Sequence, residues 1–301
     1  MPDFSLTDAA FEGFRFTRER PASVAAWAAA TFVFNLVTGV LGALVGGDAL
    51  RAFQAAASTS DASQILPLLL PAAPALAVTI LSELAGASVV YASALRSFMG
   101  IDRKVTFRVG ADERRLFLLL VGCGIFYWVV TIPAGILFGL IVNIAEAFSP
   151  PVANFLTERA GPVILFCAPL FLLVRLSLTP VIAVDRKRIN VKESWVSTKG
   201  HFWPLAGSLI LSILLFLLVA FVAMMLVMIL TELASIGTHG AMPRPGALFS
   251  PDATAWPAVV FGEIVAAICI GLLLPVVAGP LVRAYQAYDA PDPAPVFGVK
   301  A

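Results

Sequence analysis

Residues 174–203, VRLSLTPVIAVDRKRINVKESWVSTKGHFW, change character halfway along their length. The first half is apolar except for Arg175, and it ends in the charged run DRKR at 185–188. A short polar segment then leads into a second apolar run that begins at Pro204. Apolar runs long enough to cross a bilayer, separated by short charged segments, predict a membrane protein built from helices.

The composition of the whole chain supports this class. Of 301 residues, 59% are apolar and 13% are charged, whereas an ordinary soluble domain has about 25% charged residues. The net charge is only +1, and the basic residues are shared among several loops. The sequence therefore gives no indication of nucleic-acid binding.

Six apolar segments are long enough to cross a hydrocarbon core, which takes about 20 helical residues. They are residues 22–45, 71–95, 116–144, 162–184, 204–230 and 256–282. We expect an all-α fold, a six-helix transmembrane bundle, in which residues 1–301 form a single integral membrane domain.

Lysine and arginine are distributed unevenly among the loops. Sixteen of the twenty lie in the N-terminal arm, the second and fourth loops and the tail, whereas Arg51, Arg159 and Arg244 lie in the other loops. The positive-inside rule then places both termini and the charged run at 185–188 in the cytoplasm.

Short amphipathic segments precede two of the helical hairpins. Asn190 is placed to cap a helix with Glu193, and Gly200 is placed to end it. The stretches EGFRFTRER at 12–20 and ESWVSTKGH at 193–201 can be aligned. The alignment pairs Glu12 with Glu193, Phe14 with Trp195, Thr17 with Thr198 and Arg18 with Lys199.

A third stretch, RVGADERRLF at 108–117, keeps an acidic before a basic residue but lacks the aromatic register. We infer three repeats, residues 1–100, 101–185 and 186–288, followed by a flexible tail at 289–301. Each repeat is expected to be a short cytoplasmic amphipathic helix followed by a helical hairpin. Val191, Trp195 and Thr198 are expected to face the membrane, with Trp195 at headgroup depth. The alternatives are a chance likeness between the aligned stretches and a Trp195 that packs inside the bundle.

Three ionisable residues interrupt the apolar segments: Glu83, Arg175 and Glu263. Each is costly in lipid and is expected to face protein or water. A rise of about 1.5 Å per residue places Arg175 near the midplane, within reach of Glu83. We expect these two to pair, either as a packing contact or as part of a gate or substrate site. Glu263 is expected near the far rim of the membrane, in contact with water.

Glycine and proline add expectations about packing. Gly42 with Gly46, and Gly135 with Gly139, have the GxxxG spacing that lets helices approach closely. Prolines that fall within or near the ends of spans could free carbonyl groups to line a cavity. They are Pro133, Pro169, Pro180, Pro275 and Pro280.

Residue types that carry catalysis are sparse. His201 and His239 lie in loops without acidic or cysteine partners at ligand spacing. The three cysteines, Cys123, Cys167 and Cys269, all fall inside apolar segments. The sequence therefore predicts no catalytic residue, no metal and no cofactor, and a lipid-modifying enzyme is only a third hypothesis.

The opening stretch resembles a motif of a bacterial polytopic membrane family: arginine, proline, a charged turn, then SW-x-x-T-[RK]-G-x-x-W. This family includes the membrane domain attached to some glycerophosphodiester phosphodiesterases, together with stand-alone relatives. The matching positions are Arg175, Pro180, Ser194, Trp195, Thr198, Lys199, Gly200 and Trp203. The resemblance covers residues 175–203 and implies an inner-membrane module concerned with lipids. The phosphodiesterase barrel of that family does not fit in this chain.

These observations predict a non-enzymatic polytopic protein of the bacterial inner membrane that organises lipid or supports a partner. Membrane lipids are the expected partners, and a protein partner or a second copy of the chain is a further option. A small transporter or channel, with Glu83 and Arg175 in its path, is the alternative.

Overall fold

The structure is a computed structural model that describes residues 5–57, 62–102, 104–235 and 256–288. In these ranges all regular elements are helices, which agrees with the predicted class. The long helices are α2 (Pro21–Ala57), α3 (Ala62–Phe98), α4 (Ala111–Phe148), α9 (Phe202–Ser235) and α10 (Trp256–Tyr288). The short helices are α1 (Leu6–Glu19), α5 (Pro150–Phe155), α6 (Gly161–Leu176), α7 (Thr179–Asp185) and α8 (Val191–Ser197). The predicted flexible tail lies outside the described residues.

Five of the described helices are long and apolar enough to cross a membrane, and they make the chain a multi-pass membrane protein. The five stretches are Pro21–Ala57, Ile65–Phe98, Ala111–Phe148, Phe202–Val222 and Gly262–Tyr288. The predicted segment 162–184 is the exception, because a turn at 177–178 divides it into α6 and α7. Pro180 lies in the first turn of α7 and has no N–H to donate to the Leu176 carbonyl, so a continuous helix is broken there.

The connection between α4 and α6 is itself helical. α5, a π-helical turn at Leu156–Ala160 and α6 follow one another with helical backbone angles at each junction. Pro162 cannot donate to the Glu158 carbonyl, which accounts for the wider π-helical turn before it. The sequence showed only the apolar part of this long helical stretch.

Contacts between α-carbons divide the chain into two compact units. One, called here the Trp27 unit, comprises Ser5–Val109 and Ser208–Pro280. The other, the Arg175 unit, comprises Gly110–Gly207 and, at the end of α10, residues 281–288. These borders differ from those of the three predicted repeats.

The core of the Trp27 unit is aromatic. Trp27 is fully buried, and its Nε1 donates a hydrogen bond to Ser93 Oγ at 3.2 Å. The Phe16 ring from α1 stacks on both Trp27 and Phe98, with centroid distances of 5.6 and 4.1 Å. Val24, Val90 and Ala94 complete the buried cluster. The core thus joins α1 to the two long helices α2 and α3.

The two GxxxG pairs differ in how closely other described residues approach their glycines. A β-carbon added to Gly42 would lie 2.8 Å from Thr79 Oγ1, and one added to Gly46 would lie 3.2 Å from the β-carbon of Ala75. The predicted close packing is therefore confirmed for this pair, at the contact of α2 with α3. A β-carbon on Gly135 or Gly139 would meet no described atom within 4 Å. Within the described chain, the prediction was wrong for the second pair.

α1 is held against the end of the last helix by its small residues. Ser5 caps it by accepting a hydrogen bond from the Asp8 backbone at 3.3 Å. The buried face consists of Ala9, Ala10, Gly13 and Phe16. At Gly13 an added β-carbon would lie only 2.4 Å from the Pro275 carbonyl oxygen of α10. Phe11 lies on the outer side and is exposed.

The loop between α3 and α4 is closed by one aspartate. The Asp102 carboxylate accepts hydrogen bonds from Arg96 Nε at 3.0 Å, Thr106 Oγ1 at 2.6 Å and Arg108 Nη2 at 2.7 Å. Burial on its own raises the pKa of Asp102, but these hydrogen bonds outweigh it and hold the pKa below its ordinary value of 3.8. Arg96 was counted among the loop charges, yet its side chain is only 3% exposed.

Candidate functional site

The segment after the charged run forms α8, as predicted. Asn190 accepts a hydrogen bond from the Glu193 backbone at 3.2 Å, and its side-chain amide donates to Glu193 Oε2 at 2.8 Å. Gly200 has a φ of +90°, a conformation that costs glycine little. Asn190 and Gly200 thus begin and end the segment where the sequence placed them.

α8 packs against α6 through hydroxyl groups as well as through the Trp195 ring. The Ser194 hydroxyl donates to the Arg175 carbonyl at 2.9 Å, and Arg175 Nη1 donates to Thr198 Oγ1 at 3.4 Å. Both hydroxyl residues are fully buried. The expectation that Thr198 faces the membrane together with Val191 and Trp195 was therefore wrong. Hydropathy did not indicate this, because the partner of Thr198 is the guanidinium of Arg175, 23 residues earlier in the chain.

The Arg175 guanidinium lies among three aromatic rings. Its central carbon is 5.4 Å from the ring centroid of Phe171, 5.4 Å from that of Trp195 and 5.7 Å from that of Phe202. A cation over the face of such rings is attracted by their electron density. We call Arg175 with these three rings, Ser194 and Thr198 the arginine box.

The arginine box leaves part of the guanidinium without a partner. Arg175 Nε is buried and donates to no described acceptor. Thr198 Oγ1 is the one acceptor found for the guanidinium among the described side chains of the Arg175 unit, and no carboxylate of those residues pairs with it. Phe171 and Trp195 are each 40% exposed, so the box opens to the surroundings of the protein.

These contacts correct the expected depths. Arg175 was placed near the midplane and α8 on the cytoplasmic surface, but Ser194 of α8 lies 2.9 Å from the Arg175 carbonyl. The two must therefore share one depth. The two expected depths therefore do not both hold. Helical rise counted along the sequence did not indicate this contact, because the chain folds back after α7 and brings later residues alongside earlier ones.

Four positions of the family motif come together in the arginine box: Arg175, Ser194, Trp195 and Thr198. The others surround it or shape the backbone. Pro180 begins α7, and Gly200 follows α8. Lys199 is exposed, and the exposed Trp203 ring meets Phe202 edge to face at 5.2 Å.

A second polar cluster lies at the end of α7. The Tyr285 hydroxyl donates to Asp185 Oδ2 at 2.5 Å and is itself 3.4 Å from Arg186 Nε. Arg186 and Arg188 both form ion pairs with Glu193. The charged run thus connects α7 to the start of α8. Tyr285 was missed because it lies a hundred residues away, at the end of an apolar helix.

The two intramembrane glutamates lie in the Trp27 unit. Asn35 Nδ2 of α2 donates to Glu263 Oε2 of α10 at 3.2 Å, and Glu83 of α3 interacts electrostatically with Glu263. Glu263 therefore has a protein partner and is also partly exposed, so its predicted contact with water at the far rim stays a prediction. Glu83 and Arg175 belong to different units, and their pairing stays a prediction.

Among the residues that the structure describes, no group of three or more His, Cys, Asp or Glu side chains is placed to hold a metal ion. No family model, no curated protein and no solved structure matches this chain. The likeness of residues 175–203 to the bacterial membrane family therefore stays a prediction.

Proposed function

We propose that the chain is a non-enzymatic, multi-pass protein of the bacterial inner membrane that organises lipid through its short helices at the cytoplasmic surface. The observation that carries this proposal is the arginine box, which presents a positive charge among partly exposed aromatic rings. Such aromatic rings and long cationic side chains are favoured at the level of lipid headgroups.

The outer sides of both short helices fit such a surface. On α8, Val191, Trp195 and Val196 are exposed next to Lys192 and Lys199. On α1, the exposed side carries Phe11, Arg15 and Arg18. Mixed apolar and basic sides bind the boundary of an anionic leaflet by burying apolar area and attracting its charge.

The length of α6 supports a headgroup position for Arg175. At about 1.5 Å per residue, Arg159 and Arg175 lie about 24 Å apart along the helical stretch. This is shorter than a hydrocarbon core of about 30 Å, and long arginine side chains at both ends can make up the difference by extending to the interfaces. In this arrangement α6 supplies the sixth crossing.

The surroundings of α7 agree with this placement. Its apolar residues from Val181 to Val184 are buried by protein. They pack against the start of α4, where Leu116 and Leu119 are also buried. Beyond Leu119, α4 has no buried residue as far as Phe148, which suits a helix surface covered by lipid. The cytoplasmic headgroup level then lies close to residue 119 in α4 and to Arg175 in α6.

The proposal is tested with purified protein in nanodiscs that contain phosphatidylcholine and phosphatidylglycerol. After mild detergent extraction, native mass spectrometry should find the anionic lipid enriched on the protein relative to the bulk mixture. Proteoliposomes should show no flux of common ions. Ion flux without any lipid preference would overturn the proposal.

A second candidate function, a transporter or channel, is favoured by the polar group in the Trp27 unit. Asn35, Glu83 and Glu263 come from three long apolar helices, and polar residues inside spans often mark ion pathways. Proton or sodium flux into proteoliposomes that is lost in Glu263→Gln would support this function. The exposed Glu158, on the same chain but outside this group, gives the control Glu158→Gln.

A further inference from the structure

We propose that the arginine box binds the phosphate group of an anionic phospholipid. This inference rests on the proposed function, because it needs the box to lie at headgroup level. It goes further by assigning a ligand class and a binding residue: the Arg175 guanidinium holds the phosphate, and the aromatic rings hold the guanidinium.

The Arg175 guanidinium has hydrogen-bond donors that no described acceptor uses. A guanidinium has five N–H groups in a fixed planar fork, which matches two oxygens of a phosphate. In the box, one of these groups reaches Thr198 Oγ1, at a long 3.4 Å, and Nε reaches no described acceptor. Donors left unpaired next to apolar surroundings are costly. A phosphate meets the guanidinium through its Nη groups, because Nε is itself buried.

The arginine box carries the positive charge of Arg175, and exposed lysines nearby add to it. The cation–π contacts stabilise the guanidinium, but aromatic rings carry no net charge and leave it cationic. Glu193, the nearest acidic residue along α8, is already engaged by Arg186 and Arg188. The exposed Lys192 and Lys199 add positive charge on the same short helix segment. The surroundings of the box therefore attract an anion.

The arginine box is preorganised, because its rings and Ser194 hold one another in place. Phe171 meets Trp195 edge to face at 5.9 Å and meets Phe202 at 5.3 Å, so the three rings brace one another. Ser194 ties α8 to the Arg175 carbonyl and fixes the Trp195 side of the box. A guanidinium that is held in place before binding loses little conformational freedom when the ligand arrives.

The exposed aromatic rings of the box favour a lipid phosphate over free phosphate. The open side of the box is apolar, since Phe171 and Trp195 are both exposed. Glycerol and the upper acyl carbons can pack on these residues while the phosphate meets Arg175. Inorganic phosphate has no apolar group to pack on the rings, and it would also lose hydration next to them.

The test compares the wild type with Arg175→Gln in nanodiscs of phosphatidylcholine with phosphatidylglycerol, counting retained phosphatidylglycerol by native mass spectrometry. We expect retention to fall about tenfold, as for loss of a charge-assisted bidentate contact. Lys187→Gln is the control, because it removes the same charge from an exposed position near α8. It should retain lipid as the wild type does.

Two further variants keep the test decisive if Arg175→Gln does not fold. Arg175→Lys keeps the charge but lacks the planar fork, and Phe171→Leu removes one partly exposed ring. Both should fold, as shown by an unchanged thermal transition, and both should retain less phosphatidylglycerol. A folded Arg175→Lys and a folded Phe171→Leu with wild-type retention would overturn the proposal.

Two further measurements show which part of the proposal is wrong if the expected result is not obtained. If inorganic phosphate protects the protein from thermal unfolding as well as phosphatidylglycerol does, the lipid assignment is wrong. If Glu83→Gln rescues the stability of Arg175→Gln and leaves phosphatidylglycerol retention unchanged, then Glu83 is the counter-ion of Arg175 and the box inference fails. Lipid enrichment that is independent of Arg175 would overturn this inference alone, whereas no enrichment at all would overturn the proposed function.

Discussion

Gly13 and Ser194 occupy aligned positions in α1 and α8, and a backbone carbonyl of another helix comes close to each of them. The Pro275 carbonyl lies against Gly13, and the Arg175 carbonyl accepts a hydrogen bond from Ser194. Each of these carbonyls belongs to a residue five positions before a proline, namely Pro280 and Pro180. A small residue at this position thus lets a short helix pack on a longer one near a proline.

The contact at Gly13 can be tested directly. In Gly13→Ala the new β-carbon would lie within 2.6 Å of backbone atoms of Pro275 and Val276, so one helix must move. We expect a loss of about 2 kcal/mol in the free energy of unfolding. Gly139→Ala is the control, since its β-carbon meets no described atom within 4 Å and alanine favours the helix. Equal losses in the two variants would contradict the packing at Gly13.

The hydroxyl of Ser194 allows a similar comparison within α8. Ser194→Ala removes the hydrogen bond to the Arg175 carbonyl and should cost about 1 kcal/mol. Ser197→Ala changes the same kind of side chain at a position that is not fully buried and should cost much less. Thermal unfolding of the two variants in the same detergent measures the difference. A larger loss for Ser197→Ala would show that α8 is held by its other side.

At the scale of elements, hydropathy predicted the helices well where lipid covers them and less well where protein does. Five of six segments appear as long helices, but residues 162–184 are divided into α6 and α7. Val181 to Val184 are as apolar as a span, yet they are buried by protein. A hydropathy pattern cannot distinguish the two kinds of apolar surroundings. The arginine box was also unpredictable as a whole, because its parts meet only after the chain folds back.

The α3–α4 loop offers a prediction about acid. Because the pKa of Asp102 is lowered in the folded state, its carboxylate stabilises the fold above pH 3.8 and loses this contribution as the pH falls through the lowered value. Asp102→Asn should cost about 3 kcal/mol at neutral pH, since it removes the carboxylate charge from its ion pair with the buried Arg96. It should also flatten the acid limb of the stability curve.

Measuring the midpoint of thermal unfolding between pH 7 and pH 3 tests both parts of this prediction. Asp112→Asn is the control, because its ion pair with Arg115 is partly exposed and should contribute little. An acid limb that is the same in the wild type and in Asp102→Asn would show that other carboxylates govern acid unfolding.

At the scale of the whole molecule, the charges of the loops and the ends of the helices lead to one orientation. The positive-inside rule predicts Arg159 on the side with few basic residues, and Arg186 and Lys187 on the side with many. The Arg175 unit contains both, at opposite ends of the stretch formed by α5, α6 and α7. Cysteine positions in this one unit can therefore decide the orientation. Ser60 and Ser250, in two of the weakly basic loops, lie outside the described residues.

Asn154 in α5 and Lys187 after α7 are both exposed, and this makes them suitable labelling positions. The native cysteines are first replaced by serine, because Cys123 is exposed and could react. In intact cells, Asn154→Cys should react with a maleimide that does not cross membranes, because the positive-inside rule places it outside. Lys187→Cys should react only after the cells are permeabilised. Labelling of Lys187→Cys alone in intact cells would invert the orientation, and it would move the arginine box from the anionic inner leaflet to the opposite surface.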